Sequence, residues 1–125
     1  MWQKLVLLAL AGALGTLARY GLTGVIQRAA GSDFPYGTLV VNVSGCFFAG
    51  LAWMLFEGRG ALSSESRVVI LVGFLGAFTT FSTLVLETGN LLRDAEWVRA
   101  CGNLALNCSI GLAALFCGLG LGRVL

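Results

Sequence analysis

Residues 73–83 read Gly73-Phe74-Leu75-Gly76-Ala77-Phe78-Thr79-Thr80-Phe81-Ser82-Thr83, in the middle of a charge-free window from Val68 to Leu86. Two glycines three apart loosen a helix. Thr79, Thr80, Ser82 and Thr83 then follow, interleaved with phenylalanine. A lipid-facing helix gains nothing from such a run. Irregular backbone at membrane depth is tolerated only where protein or a cavity covers it, because an unpaired amide or carbonyl is costly in hydrocarbon. The stretch therefore predicts a polar interior site, with a helix break near residues 76–80, inside a membrane protein.

Composition supports the membrane reading. Of 125 residues, 58% are hydrophobic and 11% charged, with no His and one Pro; mean hydropathy is +0.90. Soluble domains carry about 25% charged residues, so this chain lies far outside their range. Further charge-free windows run from Leu5 to Ala18, Phe34 to Phe56 and Ala100 to Gly122. A spanning helix needs about 20 apolar residues. The first window reaches that length only if its helix continues through Arg19 and Tyr20 to about Ile26. A cleaved leader with Lys4 at its start is the competing reading, but the helical pattern continues past any cleavage site. We expect an all-α integral membrane protein, one domain over residues 1–125. Its four transmembrane helices are placed at about 3–28, 35–57, 66–92 and 98–123.

With four spans the termini share one side with the loop around Gly58–Ser66. That side carries Lys4, Arg59, Arg67 and Arg123, and the other carries Arg19, Arg28, Arg93 and Arg99. Four against four leaves the positive-inside rule almost nothing to act on. Either one orientation is fixed by other features, or copies insert both ways and pair antiparallel. The even balance favours dual topology. A chain this small needs an oligomer to enclose a pathway in either case.

Polar residues gather on particular faces. Gly12, Thr16, Arg19 and Thr23 recur at helical spacing on helix 1. Arg19 within a span either faces a water-filled mouth or snorkels to the interface. Helix 2 follows Pro35 and carries Thr38, Asn42, Gly45 and Ala49 on one face. Asn42 either hydrogen-bonds a neighbouring helix or solvates a permeant species. Helix 4 places Asn103 and Asn107 one turn apart, suggesting a lined polar track. Phe74, Phe78 and Phe81 fall around the break, and a phenyl ring has a positive edge that can meet an anion. A break also frees carbonyls, which suit a cation, and amides, which suit an anion. Cys46, Cys101, Cys108 and Cys117 lack Cys-x-x-Cys spacing or a His partner, so we expect packing rather than metal binding. Without His, an in-span acid pair or a thiol pair, an enzyme is not expected.

The run Gly73–Thr83, with Glu87-Thr88 after it, resembles the signature of the Fluc (CrcB) fluoride channels. Gly37-Thr38-Leu39 with Asn42 resembles a second motif of that family, and Gly15 with Arg19 a first. The resemblance covers nearly the whole chain. It implies a passive, fluoride-selective channel in a prokaryotic plasma (inner) membrane, exporting fluoride and so reducing its toxicity. It further implies a multi-pass antiparallel homodimer with lipid bilayer around it and no nucleic acid partner. A structural, untransported sodium ion would be held by the backbone oxygens of Gly76 and Thr79 from each copy. Phe81 would present a ring edge to fluoride and Asn42 would be a pore-lining donor. Arg19 would stand at the aqueous mouth, and Thr80, Ser82 and Thr83 would supply hydroxyls. Thr38 and Glu87 match positions used at the other end of the pore. The chain departs from the pattern at Leu84, where a second phenylalanine is expected. It departs again at Asn103, in place of a tyrosine, and at Asn107, in place of a common serine.

Two rival functions share this outline. A small multidrug-type exporter is also four-span and dual-topology, but it needs a carboxylate within a span, and helix 1 has none. A non-transporting membrane subunit would use the polar faces for packing alone.

Overall fold

The computed structural model describes residues 2–59 and 63–125. Of the loop used in the charge count, Gly60–Leu62 lie outside the described residues. Helix α1 runs over Trp2–Ala30 and α2 over Tyr36–Arg59. Helix α3, Ser64–Val68, passes into a π-helical segment, Val69–Leu75, and then α4, Gly76–Phe78. Helix α5 spans Phe81–Arg93 and α6 Trp97–Val124. No strand occurs among the described residues. Four helical stretches are long and apolar enough to cross a membrane: Trp2–Ala30, Tyr36–Glu57, Ser64–Arg93 and Trp97–Val124. This is the architecture of a four-span membrane protein.

Local chemistry explains the boundaries. Helix α1 ends where Gly31 takes φ of 94°, a left-handed position that glycine adopts without steric cost. Pro35 precedes the first turn of α2, where its missing N–H costs nothing. Ser63 caps α3 by accepting the Ser66 N–H at 3.2 Å. Between α5 and α6, the Asp94 and Glu96 amides donate back to Asn90 and Leu91 carbonyls at 3.0 and 2.8 Å. That satisfies the last orphan acceptors of α5.

Close packing in the absence of side chains joins the helices. Gly118 lies against the Phe47 carbonyl and Gly50 against the Leu115 carbonyl, so α2 and α6 approach backbone to backbone. Gly15 meets the Phe74 carbonyl in the same way, seating α1 on the π-helical segment. In lipid, where burial of apolar groups gives no drive to association, such contacts supply the attraction between helices. The apolar core is small: Val41, Leu75 and Phe78, with Leu22, Ala49, Leu71 and Phe74 packed on it. Phe74 and Phe78 stack with centroids 5.9 Å apart. Larger apolar side chains such as Leu14, Leu17, Phe48, Leu112 and Phe116 point outward, as a lipid solvent permits.

The cysteines, expected to pack rather than bind metal, lie mostly on the outer face of the single chain: Cys101, Cys108 and Cys117 are exposed on α6. The inward stripe of α6 is taken by Asn103, Asn107, Gly111 and Gly118, leaving the thiols on the opposite side. Cys46 alone of the four is partly covered, with its sulfur beside Gly111.

Candidate functional site

Between α4 and α5 the backbone leaves helical geometry. Thr79 has φ −81° and ψ 160°, and Thr80 has φ −150° and ψ 116°. Each backbone group there needs a partner. The Thr79 N–H and its hydroxyl both donate to Leu75 O, each at 3.0 Å. The Thr80 N–H would close a helical turn on Gly76 O, but it donates to Asn42 Oδ1 at 2.8 Å. Asn42 Nδ2 donates back to Thr80 O at 3.1 Å. One side-chain amide thus pairs with both polar groups of a single residue, as a neighbouring strand would.

From Asn42 a chain of donors continues across α6. Asn42 Nδ2 gives its second hydrogen to Asn107 Oδ1 at 2.9 Å. Asn107 Nδ2 donates to Asn103 O at 2.9 Å and to Asn103 Oδ1 at 3.1 Å. Asn103 Nδ2 donates to Thr88 Oγ1 at 3.0 Å, and the Thr88 hydroxyl donates to Leu84 O at 2.7 Å. The direction is dictated at its origin. A backbone N–H can only donate, so Asn42 must turn its oxygen to Thr80, and each later amide follows. Asn42 therefore has both hydrogens committed within the protein.

The hydroxyls divide similarly. Thr80 Oγ1 accepts the Thr83 N–H at 3.2 Å, capping α5, and donates to Thr83 Oγ1 at 2.9 Å. Ser82 Oγ lies 3.5 Å from Thr80 Oγ1, and Ser82 is exposed. Among the described residues, Thr83 Oγ1 accepts but donates to no protein atom. Its hydrogen is available to a ligand.

Two hollows border this linker and a third lies beside Glu87. One of about 420 Å³ is bounded by Thr16, Arg19, Thr23, Arg28, Thr38, Thr80 and Thr83. A second, about 210 Å³, is lined by Asn42, Cys46, Thr79, Thr80, Phe81, Leu84 and Asn107. They share Thr80. The third, about 290 Å³, holds Glu87 with Gln27, Asp33, Asn90 and Asp94. Arg19 is partly buried and reaches Thr79 O at a long 3.4 Å. Positive charge is thus set beside the linker, on the wall of the first hollow.

Sequence-expected residues sort as follows. Arg19, Thr38, Thr80 and Thr83 share the first hollow, and Asn42, Phe81, Leu84 and Asn107 share the second. Phe81 points outward at 76% exposure, whereas Phe78 and Leu84 are buried. Asn103 is 0% exposed and lines none of these three hollows. Thr38 donates to Glu87 Oε1 at 2.7 Å, and Glu87 Oε2 is buried with no partner. Replacing Thr38 with the isosteric valine leaves both carboxyl oxygens unpaired. Thermal unfolding is expected to register a loss of about 1–3 kcal/mol, the cost of an unsatisfied buried polar group.

Gln27 was not anticipated. Its Nε2 donates to Gly31 O and to Phe34 O, the latter at 2.8 Å, and its Oε1 accepts the Gly37 N–H at 3.1 Å. It ties down the turn that delivers Thr38. A polar residue four before a helix-ending glycine was the available signal, and it is weak. As for a metal, no group of three His, Cys, Asp or Glu side chains occurs among the described residues. The Gly76 and Thr79 carbonyls offer neutral oxygen donors instead, the latter already approached by Arg19 at 3.4 Å. Gly76 O has lost its turn-closing amide to Asn42, and Thr79 O lies outside the helical ladder. Such hard oxygens suit a hard cation such as sodium, but one chain supplies only two.

Residues 6–119 match the family profile described as CrcB-like protein, Camphor Resistance (CrcB). The chain is 57% identical over 125 residues to a fluoride-specific ion channel FluC of Desulforapulum autotrophicum, covering 100% of both chains. It is 51% identical over 125 residues to the protein of that name from Solidesulfovibrio magneticus, and 48% to that from Nitrosococcus oceani, again covering 100% of each chain.

Proposed function

The chain belongs to the CrcB family, and on that premise we propose that it is a fluoride-selective channel through which fluoride leaves the cell passively. It is not an enzyme; the family's members named above are ion channels. One observation carries the reading. A single chain leaves Phe81, Ser82 and Gly76 exposed beside a non-helical linker, in a span long and apolar enough to cross a membrane. Hydrocarbon cannot solvate such a surface, and a second copy can cover it. The four-against-four distribution of basic residues supports an antiparallel arrangement of the two copies. The membrane is the plasma membrane of a prokaryote, where outward leakage of a toxic anion relieves the cell.

In this reading the anion meets Arg19 first, whose charge raises the local anion concentration in the first hollow. Thr83 offers its free hydroxyl hydrogen and Thr80 forms the wall shared with the second hollow. There Phe81 presents a positive ring edge and Leu84 an apolar wall that favours a partly dehydrated ion. Thr38 borders the same hollow as Arg19, not the other end of the path, and ties it through its hydroxyl to Glu87 in the third hollow. The Gly76 and Thr79 carbonyls of both copies would hold a sodium ion, whose charge would offset their converging dipoles. The ion is structural and is not carried.

Purified protein in liposomes tests the proposal, with fluoride and chloride efflux followed by electrode. Fluoride should leave rapidly while chloride is held back. Phe81→Ala should slow fluoride about tenfold, equivalent to about 1.4 kcal/mol, within reach of an aromatic electrostatic contact. Equal fluxes of the two anions, or no fluoride flux, would sink it.

A further inference from the structure

Asn107 spends both amide hydrogens on Asn103, so it has none to offer an ion even though it borders the second hollow. Asn103 is fully enclosed. What the pair does is hold Asn42, and what Asn42 does is hold the peptide of Thr80 at both its N–H and its carbonyl. An asparagine side chain rotates easily about its last torsion, which is broad and roughly two-fold. Without Asn107 Oδ1, only Thr80 itself would keep the Asn42 amide in plane. Thr80 is also the cap of α5, so its placement sets where the Phe81 ring and the Thr83 hydroxyl stand.

We propose that Asn107 and Asn103 are positioning residues, which act through Asn42 to hold the Thr79–Thr80 linker in place rather than donating to the permeant ion. The consequence for flux rests on the channel reading, and the positioning itself does not. Releasing Asn42 leaves one amide hydrogen loose beside the hollow, an unselective donor open to either anion. Fluoride flux should fall and the preference for fluoride over chloride should shrink with it.

The test uses the full chain in lipid and reads hydrogen exchange in the peptide containing Thr80. Asn107→Leu keeps the side-chain volume and removes the amide; exchange at Thr80 should quicken about tenfold through local opening. Peptides from residues 112–124 should stay protected, reporting an intact α2–α6 pair. Asn103→Leu, one step further from the linker, should quicken exchange less, and it serves if Asn107→Leu does not fold. Adding Asn107→Leu to Asn42→Leu should quicken Thr80 exchange no further, because the two act as one unit. Unchanged Thr80 exchange in the α6 variants, or additive losses in the double variant, would overturn the proposal. Absence of fluoride flux in the unsubstituted protein would refute the channel and leave the exchange result standing.

Discussion

Asn42→Leu is expected to abolish fluoride flux and to lower stability more than any other single polar substitution near the linker. Leucine matches asparagine in volume and removes three hydrogen bonds at once. Thr80 N–H, Thr80 O and Asn107 Oδ1 all lose their partner there. Each unsatisfied buried group costs about 1–3 kcal/mol, and no water in the bilayer core can replace the lost partner. The sum is comparable to a large share of a domain's net stability of about 5–15 kcal/mol. The linker should rearrange, carrying the α5 cap and Phe81 with it. Thermal unfolding in detergent and fluoride efflux from liposomes check the two halves of this expectation. A variant as stable as the native chain would show that Asn42 does not hold the linker.

Gly118→Val should act on assembly of the chain itself. A first carbon added at Gly118 lands on the Phe47 carbonyl and crowds the Leu51 amide, both of them backbone. Backbone cannot turn aside as a side chain does, so α2 and α6 must separate. Overpacking of a core usually costs about 1–3 kcal/mol, and a rigid backbone neighbour places this case at or above the top of that range. Separation also pulls Asn107 from Asn42, so the linker loosens along with the helices. Size-exclusion profiles should show aggregated or poorly folded protein. Gly120→Val, on the same helix with open space around it, is the control and should behave as the native chain.

Much of the architecture was readable from residue order alone. Charge-free windows mark the spans because a charge at membrane depth is expensive wherever its helix sits. The Gly73–Thr83 run could be recognised as polar interior for the same reason. Asn103 and Asn107 could be placed on one face of α6, since residues four apart share a face in any helix. The division of labour among these side chains was not readable. Phe78 and Phe81 are three apart, yet one is buried against Phe74 while the other faces outward. The extended backbone at Thr79 and Thr80 turns the following helix and so separates them. Nor could residue order say that asparagines and glycines would take the inward stripe of α6 and leave its thiols outside. Gln27 escaped notice because its three partners belong to a turn whose path depends on both flanking helices.

By itself the sequence determined that this chain lives in a membrane, crosses it four times and keeps a polar segment at the centre of its third span. Those properties follow from transfer of each side chain between water and hydrocarbon, which is nearly independent of neighbours. Only the tertiary structure decided which polar atoms remain free. Asn42, a lone amide in the sequence, is seen to have both hydrogens occupied, and Thr83 to keep one. Hydrogen-bond satisfaction is a property of pairs. The partners of Asn42 lie 38 and 65 residues away along the chain, and only the packing of α2, α5 and α6 brings them within 3 Å or so.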